Sequence, residues 1–307
     1  MDRTQIMDLL TAESRVRYGT VPRDVHGKPL LPGRYDLFDD QYLLHTESGL
    51  RMHYRKGAGI TVEHSGDSTP EEEDLCRKGG VYAAIACIWG LFPMHASAVE
   101  WDGRIYAFTG PSGAGKSTLA AALGRHGMPM FCDDTLVLDL SDDDAIIALP
   151  GHKRLKLCDD ALTMTGATAQ ERVAPQVDKR FAEPIAGIST NPLPIGELIY
   201  LETAQDIAIA PIRGAARALR LRDDHYTTDL LRRARGGDAA MGFAAFSRVA
   251  QAFAMHSFAR PRDPAAFDRG VSMIADHIRK AAASHRGDAG HRLNTGHRLD
   301  TGANGPC

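Results

Sequence analysis

Apolar positions in the first seventy residues come in short bursts, Tyr42-Leu43-Leu44, Leu50-Arg51-Met52-His53-Tyr54 and Ile60-Thr61-Val62, each set off by Gly, Asp or Ser. Runs of that length bounded by turn formers read as strands, so residues 1–70 are expected to form a small β-rich lobe. The stretch Ser65-Gly66-Asp67-Ser68-Thr69-Pro70-Glu71-Glu72-Glu73 then combines turn residues with the polar-then-acidic order that starts a helix. Val81, Ile85 and Ile88 follow at helical spacing, which predicts a helix from about Glu71 through Trp89 with that stripe buried.

Beyond it the period changes. Ala98-Val99-Glu100-Trp101 and Arg104-Ile105-Tyr106-Ala107-Phe108 flank Asp102-Gly103, a strong hairpin signal. Thr118-Leu119-Ala120-Ala121-Ala122-Leu123 is rich in helix formers and stops before Gly127. Met128-Pro129-Met130-Phe131-Cys132 reads as a short strand ending at Asp133-Asp134, and Thr135 to Leu140 and Ala145 to Leu149 as extended segments. The acidic run Asp142-Asp143-Asp144 between them is read as a solvated turn. Between Gly151 and Pro194 the pattern gives little beyond two basic clusters, His152-Lys153-Arg154-Leu155-Lys156-Leu157 and Asp178-Lys179-Arg180-Phe181. A strand is expected over Ile195 to Leu201, then one amphipathic helix around Phe243, Phe246 and Phe253 and another marked by Phe267, Val271, Ile274 and Ile278. The segment Gly290-His291-Arg292-Leu293-Asn294-Thr295 recurs as Gly296-His297-Arg298-Leu299-Asp300-Thr301, too polar for a core. The reading is therefore a main domain over 71–283 and a disordered tail over 284–307.

Composition narrows the class. With 307 residues, 43% hydrophobic, and a net charge of -3, the chain suits a soluble globular protein and shows no electrostatic footprint for nucleic acid. Val81 to Met94 is too short to span a bilayer, and the start lacks a basic-then-apolar layout, so no membrane partner and a cytoplasmic location are expected. The five cysteines form no C-x-x-C pair, which fits reduced thiols, with Cys132 a small buried residue of its strand.

One motif carries chemistry. Gly110-Pro111-Ser112-Gly113-Ala114-Gly115-Lys116-Ser117, followed by Thr118, fills every position of G-x-x-x-x-G-K-[ST] between an apolar strand and a helix. Glycines there let successive N–H groups approach a phosphate at a helix N-terminus. Lys116 adds a charge for the β and γ phosphates, and Ser117 a hydroxyl suited to Mg²⁺. ATP and Mg²⁺ are the expected ligands. Asp133 and Asp134 end a strand seventeen positions after Lys116, where a carboxylate can hold Mg²⁺ or accept a proton from a nucleophile. His95, read by itself, is a core histidine.

The order Met94-His95-Ala96-Ser97-Ala98-Val99, the glycine-rich loop, Gly127 and Cys132-Asp133-Asp134 resembles the catalytic core of the HPr kinase/phosphorylase family over residues 94 to about 140. The resemblance implies an α/β fold with a P-loop kinase core like that of phosphoenolpyruvate carboxykinase, joined here to the β-rich N-terminal lobe. It implies His95 beside the first aspartate, Asp133 as proton acceptor toward a serine with Asp134 its alternative, and a homo-oligomer. Ser117 and Asp134 are the candidate metal ligands. The region after the core lacks the L-E-x-R-G-type signature and glycine-rich docking loop of the HPr enzymes. It is similar instead to smaller HPr-kinase-like proteins beside peptide-modifying systems, including kinases of the C-terminal serine of lasso-peptide precursors. Lys179 and Arg180 are candidates for steadying the moving phosphoryl group. The expectation is an ATP-dependent serine kinase acting on a peptide or protein, with HPr kinase, small-molecule kinase and regulatory NTPase as alternatives.

Overall fold

A computed structural model describes residues 2–142, 145–151, 154–174, 177–222, 226–236 and 239–295. The acidic pair Asp143-Asp144, the basic pair His152-Lys153 and residues 296–307 lie outside the described residues.

The N-terminal strands form as expected, preceded by a helix that the apolar pattern did not announce. Helix α1 (Arg3–Glu13) is started by Asp2, whose side chain accepts from the Gln5 amide while the Gln5 side chain accepts from that of Asp2, a reciprocal cap. Only Ile6 and Leu10, one turn apart, are its buried apolar contacts. Strands β1 (Val16–Tyr18), β2 (Arg34–Phe38), β3 (Gln41–His45), β4 (Arg51–Arg55) and β5 (Gly59–Glu63) make a sheet of order β1-β5-β4-β3-β2. Its inner face, with Met52, Tyr54 and Ile60, shares one apolar cluster with the helix that follows and with Phe92, Leu136 and Leu198 of the larger sheet. The lobe therefore has no core of its own.

Thr69 caps α2 (Pro70–Cys76) by accepting from the Glu72 amide. The rod continues through one π turn, Arg77–Val81, into α3 (Tyr82–Ile88), close to the predicted span, with Val81 and Ile85 fully buried. Then come β6 (Phe92–Met94), the hairpin β7 (Ser97–Trp101) and β8 (Arg104–Thr109), α4 (Lys116–Leu123), β9 (Met130–Cys132), β10 (Leu136–Asp139) and β11 (Ile147–Leu149). Strands β12 (Leu155–Leu157), β13 (Thr168–Ala174) and β14 (Val177–Glu183), with α5 (Asp159–Thr165), build a separate three-stranded sheet in the stretch where the sequence pattern was weakest. The chain ends with β15 (Leu193–Thr203), β16 (Ala208–Pro211), α6 (Ala215–Arg222), α7 (Tyr226–Ala234), α8 (Ala239–Ala252), β17 (Ala254–Arg260) and α9 (Pro264–Thr295).

Strand β15 is the spine of the large sheet. One edge pairs in parallel with β8, Leu198 opposite Ala107 and Tyr200 opposite Thr109. The other edge meets β11 at Leu193 and Pro194 and then runs parallel to β17 from Glu197 to Thr203. Parallel strands covered on both faces need apolar residues at successive positions, and alternate residues serve two cores. Ala107, Leu198 and Tyr200 belong to the cluster shared with the N-terminal sheet. Tyr106, Phe108, Ile199 and Phe258 pack against Phe267, Val271, Ile274 and Ile278 of α9. That stripe matches the predicted helix, but α9 runs on to Thr295, into the segment expected to be a disordered tail. The other predicted helix is α8; Phe253 falls just past its end and Phe243 points to solvent, while Phe246 meets Phe92 edge-on at 5.2 Å. Among the described residues no helix is long and apolar enough to cross a membrane.

Candidate functional site

Strand β8 delivers the chain to Gly110, and α4 carries it away from Lys116. Gly110 sits at φ 138°, and a Cβ there would lie 2.8 Å from the Leu201 carbonyl oxygen, so both conformation and space require glycine. Gly113 and Gly115 take left-handed φ values of 74° and 86°, which turn the loop around the first turn of α4. The N–H groups and positive end of that helix give the loop the character of an anion cradle. The Lys116 ammonium, almost fully buried, donates to the carbonyls of Gly110 at 3.0 Å and Pro111 at 3.3 Å. From β17, Arg260 donates to the Ala114 carbonyl at 3.0 Å and braces the loop from behind.

The two aspartates reach this loop because β9 pairs with β7, which pairs with β8. Asp133 is 4% exposed and fully engaged: Oδ1 accepts from Ser97 Oγ and from Ser117 Oγ, each at 2.7 Å, and Oδ2 from the Lys156 amide at 3.0 Å. Asp134 adopts φ 75°, a left-handed value uncommon outside glycine and asparagine, and its side chain leaves in another direction. Its Oδ2 accepts from Lys156 Nζ at 2.8 Å, and His95 Nδ1 lies 2.9 Å from its carbonyl and 3.3 Å from its Oδ1. Burial pushes the Asp134 carboxyl up, but the Lys156 ammonium, helped by His95 and Lys179, outweighs this and holds it below the usual carboxylate range. In return, burial pulls Lys156 down while Asp134 and Asp133 more than offset it, so the ammonium is held above its ordinary value.

Two expected pairings are therefore exchanged. His95 was expected beside Asp133, yet its Nδ1 engages Asp134; Ser117 was expected to share a metal with Asp134, yet its hydroxyl meets Asp133. The reason is the backbone: adjacent residues leave a strand on opposite sides, and the left-handed turn at Asp134 widens the divergence. Lys179 is exposed and lines the same cleft, whereas Arg180 spends its Nε on the Gln170 carbonyl of the β13–β14 hairpin.

Three participants escaped sequence reading. Ser97 stands inside the Met94-to-Val99 stretch that carries the resemblance, but it is assigned no role there. Lys156 stood in a basic cluster, but its setting between Leu155 and Leu157, both buried in β12, marks a side chain turned to the other face. Gly79 lies in the π turn, where an added Cβ would come within 3.6 Å of Asp134 Oδ2. A π turn inside a helix often marks a functional site, and this one brings the rod against the carboxylate.

The resulting cleft, of ≈ 370 Å³, is lined by His95, Lys116, Ser117, Asp133, Asp134, Lys156 and Lys179 among others. A smaller hollow of ≈ 160 Å³ adjoins it through Gly113, Gly115 and Thr118 and is walled by Met164, Arg260 and Phe267. A larger cavity of ≈ 940 Å³, between Leu9, Trp89 and Ala245, lies away from this chemistry and has a mostly apolar wall. Cys132 is fully buried in β9, as its strand position predicted.

No family model matches the chain, and no curated protein does. Among solved structures, it is similar to the HPr(Ser) kinase/phosphatase from Coxiella burnetii, with 13% identity and a TM-score of 0.36, over 67% of this chain and 99% of that one. The likeness is a distant one of fold.

Proposed function

We propose that the chain is a kinase that transfers the γ-phosphate of ATP to a hydroxyl, with the serine of a peptide or protein as acceptor. The observation that carries this reading is the chain of contacts from Ser117 in the first turn of α4 to Asp133, from Asp133 to the Lys156 amide and from Lys156 Nζ to Asp134. A nucleotide-binding loop alone serves many reactions, but a loop facing a carboxylate, a histidine and two lysines also provides for a nucleophile and for developing charge.

The roles follow from the contacts. Loop amides and Lys116 receive the β and γ phosphates, and the adjoining hollow by Thr118, Met164 and Phe267 takes the nucleoside end. Ser117 Oγ and the Asp133 carboxylate, 2.7 Å apart, are the hard oxygen donors that suit Mg²⁺, which would neutralise phosphate charge there. Asp134, better exposed than Asp133 and set in the cleft between His95 and Lys156, is then the residue that orients the acceptor hydroxyl and takes its proton. Its depressed pKa makes it a weak base, so orientation is its larger contribution. This reverses the roles expected of the two aspartates. Lys156 and Lys179 are placed to steady the moving phosphoryl group.

The test is transfer from γ-labelled ATP with Mg²⁺ to three acceptors in parallel: a peptide ending in serine, HPr, and no acceptor. Label in the peptide, lost when its serine becomes alanine, supports the reading. Free phosphate at the same rate in every tube would make the chain an NTPase. Label in HPr alone would return it to the HPr kinases, and no ADP under any condition would end the kinase reading.

A further inference from the structure

A second cluster of ligating groups lies low on the same sheet. Glu197 is on β15, His256 on β17 and His277 on α9, so three elements distant in sequence each contribute one side chain. Glu197 Oε2 is 2.7 Å from His277 Nε2 and 3.2 Å from His256 Nδ1, and the rings meet edge-on with centroids 4.6 Å apart. The carboxylate is 5% exposed, the rings about one fifth. The face around them is otherwise apolar, made of Phe108, Ile199 and Phe258 under Ile274 and Ile278.

This cluster is separate from the kinase cleft. Glu197 pairs with Tyr106 on β8, and Tyr200, three residues on, pairs with Thr109 at the mouth of the loop. Three residues of strand place Glu197 about 10 Å below that level.

We propose that Glu197, His256 and His277 form a structural site for a divalent transition metal of the zinc class, clasping α9 to β15 and β17. One ligand atom from each residue lies within 4.8 Å of the other two. Nitrogen and oxygen donors around tetrahedral zinc stand roughly 3.3 Å apart at bond lengths near 2.0–2.1 Å. The Glu197 to His256 separation already has that value, the Glu197 to His277 one is shorter at 2.7 Å, and all three ligand atoms lie within 4.8 Å of one another. One feature goes beyond a simple ion-paired clasp. His256 Nδ1 is buried beside the carboxylate yet makes no aligned hydrogen bond, as a nitrogen aimed at a shared centre would. On binding, each imidazole would carry its remaining proton on the other ring nitrogen, and the carboxylate would take the metal in place of its hydrogen bond with His277.

The experiment uses the full chain, stripped with EDTA and free of nucleotide, titrated with Co²⁺ and followed by visible absorption, with Zn²⁺ as competitor. We expect one equivalent that Zn²⁺ displaces, retained when His291 and His297 are both changed to Ala, and weakened at least tenfold in Glu197→Gln and in His277→Ala. X-ray absorption of the wild-type zinc form should show two imidazoles in the inner shell, a readout that does not depend on variants folding. No bound equivalent, equal binding in the folded variants, or an inner shell without imidazole would each overturn the proposal.

Discussion

Asp133→Asn separates a metal-side scaffold from a catalytic base. Asp133 accepts three hydrogen bonds, from Ser97, Ser117 and the Lys156 amide, and is 4% exposed. A hydrogen bond to a charged acceptor contributes about 1.5–3 kcal/mol and a neutral one about 0.5–1.5, so neutralising the acceptor costs roughly 1 kcal/mol for each of the three. The asparagine amide can point its oxygen at the Lys156 N–H and donate to the two hydroxyls, but the buried Ser97 O–H then loses its acceptor, so the loss is about 3–4 kcal/mol. At a slope near 3 kcal/mol per molar, that moves the urea midpoint down by roughly 1 M. In the transfer assay the same variant should need at least tenfold more Mg²⁺ for half-maximal rate, because Ser117 loses its anionic partner. Asp134→Asn should instead lower turnover by about 10²-fold, mostly through lost orientation of the acceptor hydroxyl, with the Mg²⁺ requirement unchanged. An Asp133→Asn chain with the wild-type urea midpoint and the wild-type Mg²⁺ requirement would refute the assignment.

Three further outcomes are expected. Lys116→Ala should abolish measurable nucleotide binding by calorimetry and cut turnover by at least about 10²-fold, the loss typical of one charge-stabilising donor. Gly110→Ala must place a methyl 2.8 Å from the Leu201 carbonyl at φ 138°, a strain of about 1–3 kcal/mol that scanning calorimetry should show as a Tm lower by several degrees. Lys156→Met breaks the pair with Asp134, whose side chains are 14% and 28% exposed, and should cost about 1–3 kcal/mol, between an exposed and a fully buried ion pair. Its pH dependence has a definite sign. The depressed Asp134 carboxyl contributes stability above its unfolded pKa of about 4, lost as pH falls through the lower folded value, and the raised Lys156 contributes below about 10.4, lost as pH rises through the higher folded value. Wild type should therefore hold this contribution across that whole window. In Lys156→Met, Asp134 keeps its burial without its ammonium, so its folded pKa rises, less stability is lost on acidification, and the deficit against wild type should be smaller at pH 3 than at pH 7; a denaturation series from pH 3 to 8 in which that deficit stays constant would rule this out.

What could be read from the chain depended on how local its cause was. The glycine-rich loop, the Asp102-Gly103 hairpin and the α9 stripe are each set by residues within one element, and all three are where the sequence put them. The three-stranded sheet over 155–183 and strand β17 are stabilised by partners far along the chain, and their short, mixed runs carried little period. The site divides in the same way. Lys116, Ser117, Asp133 and Asp134 were legible as candidates because a motif or a strand end exposes them, His95 only through the resemblance, and all five line one cleft. Their pairing was not legible, since it turns on one backbone angle, φ 75° at Asp134, that no neighbouring glycine announces. One carboxylate lies at Ser117, and the other, at that left-handed turn, faces His95 and Lys156. The strained residue is thus what allows two adjacent acids to do different work, and it is held in place by the Lys156 side chain on one and the Lys156 amide on the other. A single residue of a strand without sequence signature fixes both aspartates, which is why the division of roles emerges only from the folded chain.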